Sequence, residues 1–188
     1  MPATHVPLDY CYALDAARTL LGANAAVICE IPELDLAIHE RFPAGDNSPE
    51  PGGALWIEPR VSDATTRISQ FADVIPIGGQ LVIIISQPLS RLLPERRSWD
   101  TNHAGTHSRQ ARTMFCRLSD AGFEREEMHG FHTMEAIAIN MLSRAAGAIG
   151  RPDWSDRLHF AARLRYSRDG RFSTLATVGL IRLRRVDA

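Results

Sequence analysis

Lysine is absent from this chain: all 21 of its basic residues are arginine. The surface therefore carries planar guanidinium forks rather than ammonium points, and no Gly-Lys-Ser/Thr phosphate loop is present. Cysteine is scarce. Cys11, Cys29 and Cys116 are odd in number and far apart. That argues against a disulfide framework or a zinc–cysteine site and points to a reducing compartment. An excess of either charge is also missing. A formal net charge of -1 argues against a general nucleic-acid binder and against a strong pull to a membrane surface. The longest aliphatic run, residues 81–85, is far too short to span a bilayer. Residues 1–10 are poor in apolar side chains and lack the basic region of a secretory leader. No Gly-x-Ser-x-Gly elbow, internal repeat or low-complexity segment occurs. The expectation is a cytoplasmic, soluble protein. Its 188 residues, 45% hydrophobic and 23% charged, fit one domain over 1–188 with a sizeable core.

What is present is a glycine pair feeding a wholly aliphatic segment. Ile77-Gly78-Gly79 followed by residues 80–86 reads as a tight turn and then a strand buried on both faces, as in the middle of a parallel sheet. Upstream, residues 10–21 have helical spacing of Ala13, Leu14, Ala17, Leu20 and Leu21, with Gly22 as the stop. Residues 25–31 read as a strand ended by Pro32. Residues 33–42 read as a short helix, 43–53 as a loop and 54–58 as a second strand. Ser62 is placed to cap a helix over 63–75. Residues 87–107 are polar and irregular, as a lid or binding loop would be. A helix over 108–121 stops at Gly122. Residues 123–131 suit an edge strand, and 134–149 an apolar helix. Pro152-Asp153 marks a boundary. The alternation Leu158, Phe160, Ala162, Leu164, Tyr166 suggests a strand, with a helix as the other reading. Asp169-Gly170 marks a turn, and a last strand covers about 175–184. Helices alternating with buried strands, then antiparallel-looking strands, describe an open, mostly parallel α/β sheet of three layers.

Several passages together resemble the Rossmann-like S-adenosylmethionine-dependent methyltransferases. ALWIEP resembles that family's fourth strand. VSDATTRISQFADVIPIGGQLVIII resembles its next helix, its Pro-Gly-Gly turn (here with Ile77 at the proline position) and its fifth strand. LSDAGFEREEMHGF resembles its sixth strand with the preceding helix, and LATVGLIRLRR its last strand, which is antiparallel in that fold. The match covers roughly 54–131 and the final strand. The resemblance implies a methyltransferase-like α/β fold, here shortened at its N-terminal side, and S-adenosylmethionine as the cofactor. The family also carries an acidic, glycine-rich Asp/Glu-x-Gly-x-Gly segment after its first strand, where only glycine lets backbone approach the cofactor closely. Nothing between Met1 and Gly53 has that pattern, and Pro32 follows the earliest strand. No cofactor residue is therefore carried over.

Ligands of open parallel sheets bind beyond the carboxyl ends of the strands. Three strands end in polar groups: Glu30; Glu58 with Arg60; and Ser86 with Gln87. If adjacent, they line one crevice for a small-molecule ligand. Two carboxylates there could accept ribose hydroxyls, hold a metal or divide acid and base work. Against this, Glu58 could simply pair with Arg60 or a loop arginine. His103 with His107 and His129 with His132 have helical ligand spacings, with Glu126 or Glu135 to complete a set. Each pair contains a glycine and sits in loop or strand, so no metal residue is assigned. Cys116, beside Phe115 and Leu118, reads as a small core residue. Arg182, Arg184 and Arg185, with Arg163, Arg165, Arg168 and Arg171 upstream, form either a phosphate-binding face or a charged edge that blocks stray strand pairing. Met134, Ile137, Met141 and Leu142 read as core or as a dimer face.

The sequence thus supports a divergent methyltransferase-like domain without ordinary S-adenosylmethionine binding. It would bind a partner or small ligand and form a homo-oligomer that covers an exposed early strand edge. An active methyltransferase with an atypical cofactor site is the alternative, and a metal-dependent enzyme using the histidine loops is the second.

Overall fold

The computed structural model describes residues 6–29, 31–43, 52–60, 63–87, 89–90, 108–169 and 175–187. Glu30, Ser62, His103, His107, Gly170, nearly all of the proposed lid and most of the 43–53 loop lie outside them. Six strands form one sheet: β1 (Ala26–Cys29), β2 (Gly53–Ile57), β3 (Gln80–Ser86), β4 (Phe123–Thr133), β5 (Ser167–Asp169) and β6 (Ala176–Arg185). Their spatial order is β1-β2-β3-β6-β4-β5. β1, β2 and β3 pair in parallel. β6 runs antiparallel between β3 and β4, and β5 pairs antiparallel with β4. β4 therefore points the same way as β1, β2 and β3. The sheet is mostly parallel in direction, with antiparallel C-terminal strands, and β6 has the antiparallel placement that the methyltransferase resemblance implies. β1 forms the outer edge on the early side.

The layers follow from the pleat. In β3, Val82 and Ile84 point to one face, and Leu81, Ile83 and Ile85 to the other. Both faces are covered, so all five are buried. α1 (Leu8–Leu21) and α2 (Asp35–Arg41) lie on the first face, where Tyr10, Leu14 and Leu34 meet Leu55, Val82, Ile84 and Leu180. α3 (Ala64–Val74) and α4 (Ser108–Asp120) cover the second, where Ile68, Phe71, Met114 and Leu118 meet Trp56, Ile83 and Ile181. Each fully buried aliphatic side chain contributes roughly 1.5–3 kcal/mol of transfer free energy, so β3 is the centre of the core.

Entry to β3 is the glycine turn. Gly79 N–H donates to Pro76 O at 2.8 Å, and Gly78 has φ of 84°, the left-handed conformation that the third position of such a turn needs. A Cβ on Gly79 would lie 2.7 Å from Ile75 Cγ2 and 2.8 Å from Pro76 O. Both glycines are thus required, one for its backbone angle and one for space.

Four readings are settled or corrected. Residues 158–164, where strand and helix were both open, belong to α6 (Pro152–Leu164). Pro152 marks the boundary between α5 and that helix, which it opens at its first turn. β4 is not a plain edge strand: it pairs with β6 along its length, and β5 covers it at His129, Gly130 and Phe131. Cys116 is exposed, because Met114 and Leu118 point to the sheet and leave it on the outer side of α4. Met134, Met141 and Leu142 are exposed rather than core. They sit on α5 (Met134–Ala148), which packs mainly on α6 instead of on the sheet. No helix among the described residues is long and apolar enough to cross a membrane.

Candidate functional site

Parallel strands bring their C-terminal ends to one rim. β2 ends at Ile57, β3 at Ser86 and β4 at Thr133, and antiparallel β6 starts at the same rim with Ala176 and Thr177. The first turn of α1 lies over it, since α1 packs against β2, β3, β4 and β6. The helical stripe that buries Ala13, Leu14 and Ala17 also turns Tyr10 inward, and Asp9 beside it is buried too.

Two linked hydrogen-bonded groups result. Tyr10 OH donates to Glu58 Oε1 and lies 2.9 Å from Ser86 Oγ. Thr177 Oγ1 donates to Asp9 Oδ2, and Asp9 Oδ1 accepts from Tyr10 N–H at 3.0 Å. Asp9 and Glu58 are only 2% and 6% exposed. Buried carboxylates of this kind persist where hydrogen-bond donors meet them. Gln87 is buried and folds over Gly179: a Cβ on Gly179 would lie 2.4 Å from Gln87 Nε2. Gln87 N–H donates to Thr177 O at 2.9 Å, which ties the end of β3 to the start of β6.

An aromatic row borders the cluster. His132 stacks on Tyr166 with ring centroids 5.1 Å apart and 10° between planes, and Tyr166 meets Tyr12 at 4.8 Å. His132 Nδ1 is 4.0 Å from Asp9 Oδ2. Two non-glycine residues have left-handed backbones among the described residues, Glu58 at φ 49° and His132 at φ 55°. Both are at this rim. Such strain costs of order 1–3 kcal/mol and concentrates at functional sites.

Among the residues singled out from the sequence, Glu58, Ser86 and Gln87 come together here. Arg60 lies two residues beyond Glu58 with its side chain exposed. Glu58 accepts from the Tyr10 hydroxyl, a donor that the sequence reading did not anticipate. Tyr10, Asp9, Thr177 and Tyr166 were not singled out. A tyrosine and an aspartate in line with the otherwise aliphatic buried stripe of α1 were the available signal.

The histidine pair separates. His129 lies 3.3 Å from Glu127, while His132 faces Asp9. Glu126 holds Arg182 at 3.0 Å and Arg184 at 3.8 Å, and Glu135 lies 4.0 Å from Arg165. Among the described residues no three potential ligands converge on a metal position. Arg182 and Arg184 thus face acidic residues of β4, which accounts for them as a neutralised strand face rather than a phosphate surface.

Farther along α1, burial pushes the Cys11 thiol above its ordinary range, with Arg41 pulling partly the other way. Arg41 itself is held charged by its 2.6 Å hydrogen bond to Asp15.

The cofactor of the resembled family does not fit the residues after β1. The chain there runs from Cys29 into a 3₁₀ turn at Pro32–Leu34, with Cys29 Sγ accepting from Ile31 N–H at 3.4 Å. No glycine occurs between Gly22 and Gly45, so no close-approach position exists beside β1.

No protein-family model matches the chain, and no curated protein matches it. Among solved structures it is similar to a Thermotoga maritima protein described as an SAM-dependent methyltransferase, "possible histamine N-methyltransferase". The two are 12% identical with a TM-score of 0.46, over 94% of this chain and 87% of that one.

Proposed function

We propose that this chain is a divergent methyltransferase-like domain that binds a small polar ligand at the rim of its sheet without ordinary S-adenosylmethionine binding. The observation that carries this reading is the buried cluster of Asp9, Tyr10, Glu58, Ser86 and Thr177 where three parallel strands end. Open α/β sheets bind ligands at this end. The cluster supplies hydroxyl and carboxylate groups, and the Tyr12–Tyr166–His132 row supplies flat faces for a ring. Together they suit a small ligand with hydrogen-bonding groups on a planar frame. The want of a close-approach glycine after β1 supports separating the fold from its usual cofactor.

Calorimetric titration with S-adenosylmethionine and S-adenosylhomocysteine tests the second half of the reading. No heat is expected at millimolar ligand. Micromolar binding of either overturns it in favour of an active methyltransferase with an atypical site. Amide shifts in a screen of small aromatic fragments test the first half. Binders should move Tyr10, Glu58, Ser86, Gln87 and His132. Binders that cluster elsewhere count against the rim as the site.

A further inference from the structure

The hairpin of α5 and α6 is built inside out. Its inner seam uses small residues: Ala136, Ser143 and Ala146 are buried, and Ser143 Oγ donates to Ser155 O at 2.8 Å. Large apolar side chains point outward. On α5 the outward stripe is Met134, Ala138, Met141, Ala145 and Ala148, all exposed. Their spacing of 4, 3, 4 and 3 is the heptad seam by which one helix packs along another. Leu142 and Ile149 flank it. A surface helix of a monomeric domain normally presents polar residues there.

We propose that this stripe is the interface of a homodimer, in which α5 packs antiparallel on α5 of a second copy about a two-fold axis near Met141. Size supports it first. With Met134, Met141, Leu142 and Ile149 exposed by 48%, 67%, 59% and 76%, these four form an apolar patch on the order of a few hundred Å², the size at which a patch marks an interaction site. Exposed Phe160 and Leu164 lie on the face of α6 opposite buried Ala162, so they stay outside this contact. Register supports it next. About an axis at Met141, Met134 falls opposite the partner subunit's Ala148, and Ala138 opposite the partner subunit's Ala145. Met134 meets an alanine at each end, and the two Met141 side chains meet at the axis between pairs of alanines, so the stripe pairs with itself as a two-fold interface requires. Charge supports a second copy over a lipid surface. The only charged residues of α5 are Glu135 and Arg144, whereas helices that lie on membranes carry several basic residues beside their apolar face.

Sedimentation of the full chain across the micromolar range is the test. The unaltered protein should be a dimer. Met141→Glu should raise its dissociation constant about 100-fold or more, because it buries a charge at the axis, with an unchanged circular dichroism spectrum. Oxidation of Met141→Cys in a Cys116→Ser background should give a disulfide-linked dimer, and this result decides the matter if Met141→Glu does not fold. A monomeric unaltered chain overturns the proposal, including one that binds phosphatidylserine vesicles instead. So does a dimer that survives Met141→Glu, which would place the contact elsewhere, for example at the β1 edge.

Discussion

At Tyr10 one hydroxyl serves two strand ends. It donates to Glu58 and reaches Ser86, so removing it takes one donor away from a buried carboxylate. Tyr10→Phe should lower unfolding free energy by about 1–3 kcal/mol, measured by urea denaturation. A loss below about 0.5 kcal/mol, the ordinary scatter of neutral changes, would mean that the bond contributes little. Thiol chemistry gives a second residue-level outcome. The raised pKa of Cys11 means less thiolate at mildly alkaline pH, and its side chain is half-buried. Iodoacetamide should label exposed Cys116 first, with Cys11 at least about tenfold slower. Equal rates by mass spectrometry would contradict both its burial and its raised pKa. Glu58, Ser86 and Gln87 were legible in the sequence because a strand end can be located from its apolar run. Asp9 and Thr177 were not. Their partnership joins residues far apart in the chain, and no local pattern encodes which hydroxyl meets which carboxylate.

Elements differ in how firmly the sequence specifies them. β3 was legible to the residue, since five buried aliphatics after a glycine turn fit only a doubly covered strand. Ile84→Asp should abolish folding, by an unpaired buried charge costing several kcal/mol, and the amides of residues 80–86 should be the slowest to exchange. A folded Ile84→Asp protein would refute the placement of β3. α6 was ambiguous for a physical reason. Leu158, Phe160, Ala162, Leu164 and Tyr166 alternate as a strand would, yet Phe160 and Leu164 face outward and only Ala162 is buried. Burial, which normally enforces the period, is not set there by this chain's own core. α5 starts at Thr133, whose Oγ1 accepts from Ala136 N–H at 3.2 Å and donates to Arg165 O at 2.6 Å. One side chain both caps α5 and anchors the chain just past α6. Thr133→Ala should cost about 1–2 kcal/mol, and Thr133→Ser should recover most of it. Equal stabilities in thermal denaturation would show that the cap is dispensable.

Across the molecule, the sheet reserves its central seam for the end of the described chain. β6 closes two gaps at once, pairing with β3 from Gln80 to Ser86 and with β4 from Phe123 to Thr133. Its partners in β3 lie roughly a hundred residues earlier, the kind of distant pairing that slows folding. Until residues 176–185 are available, β3 and β4 have no strand between them, and their facing backbone groups are unpaired templates. On the ribosome, then, the parallel half with α1, α2 and α3 can collapse early, but it must wait with an open flank while β4, α5 and α6 are still being synthesised. Assembly becomes a race between insertion of the last strand and capture of that flank by another chain. Whatever shields nascent proteins in its cell should matter most to this one until residues 176–185 have been made and inserted between β3 and β4.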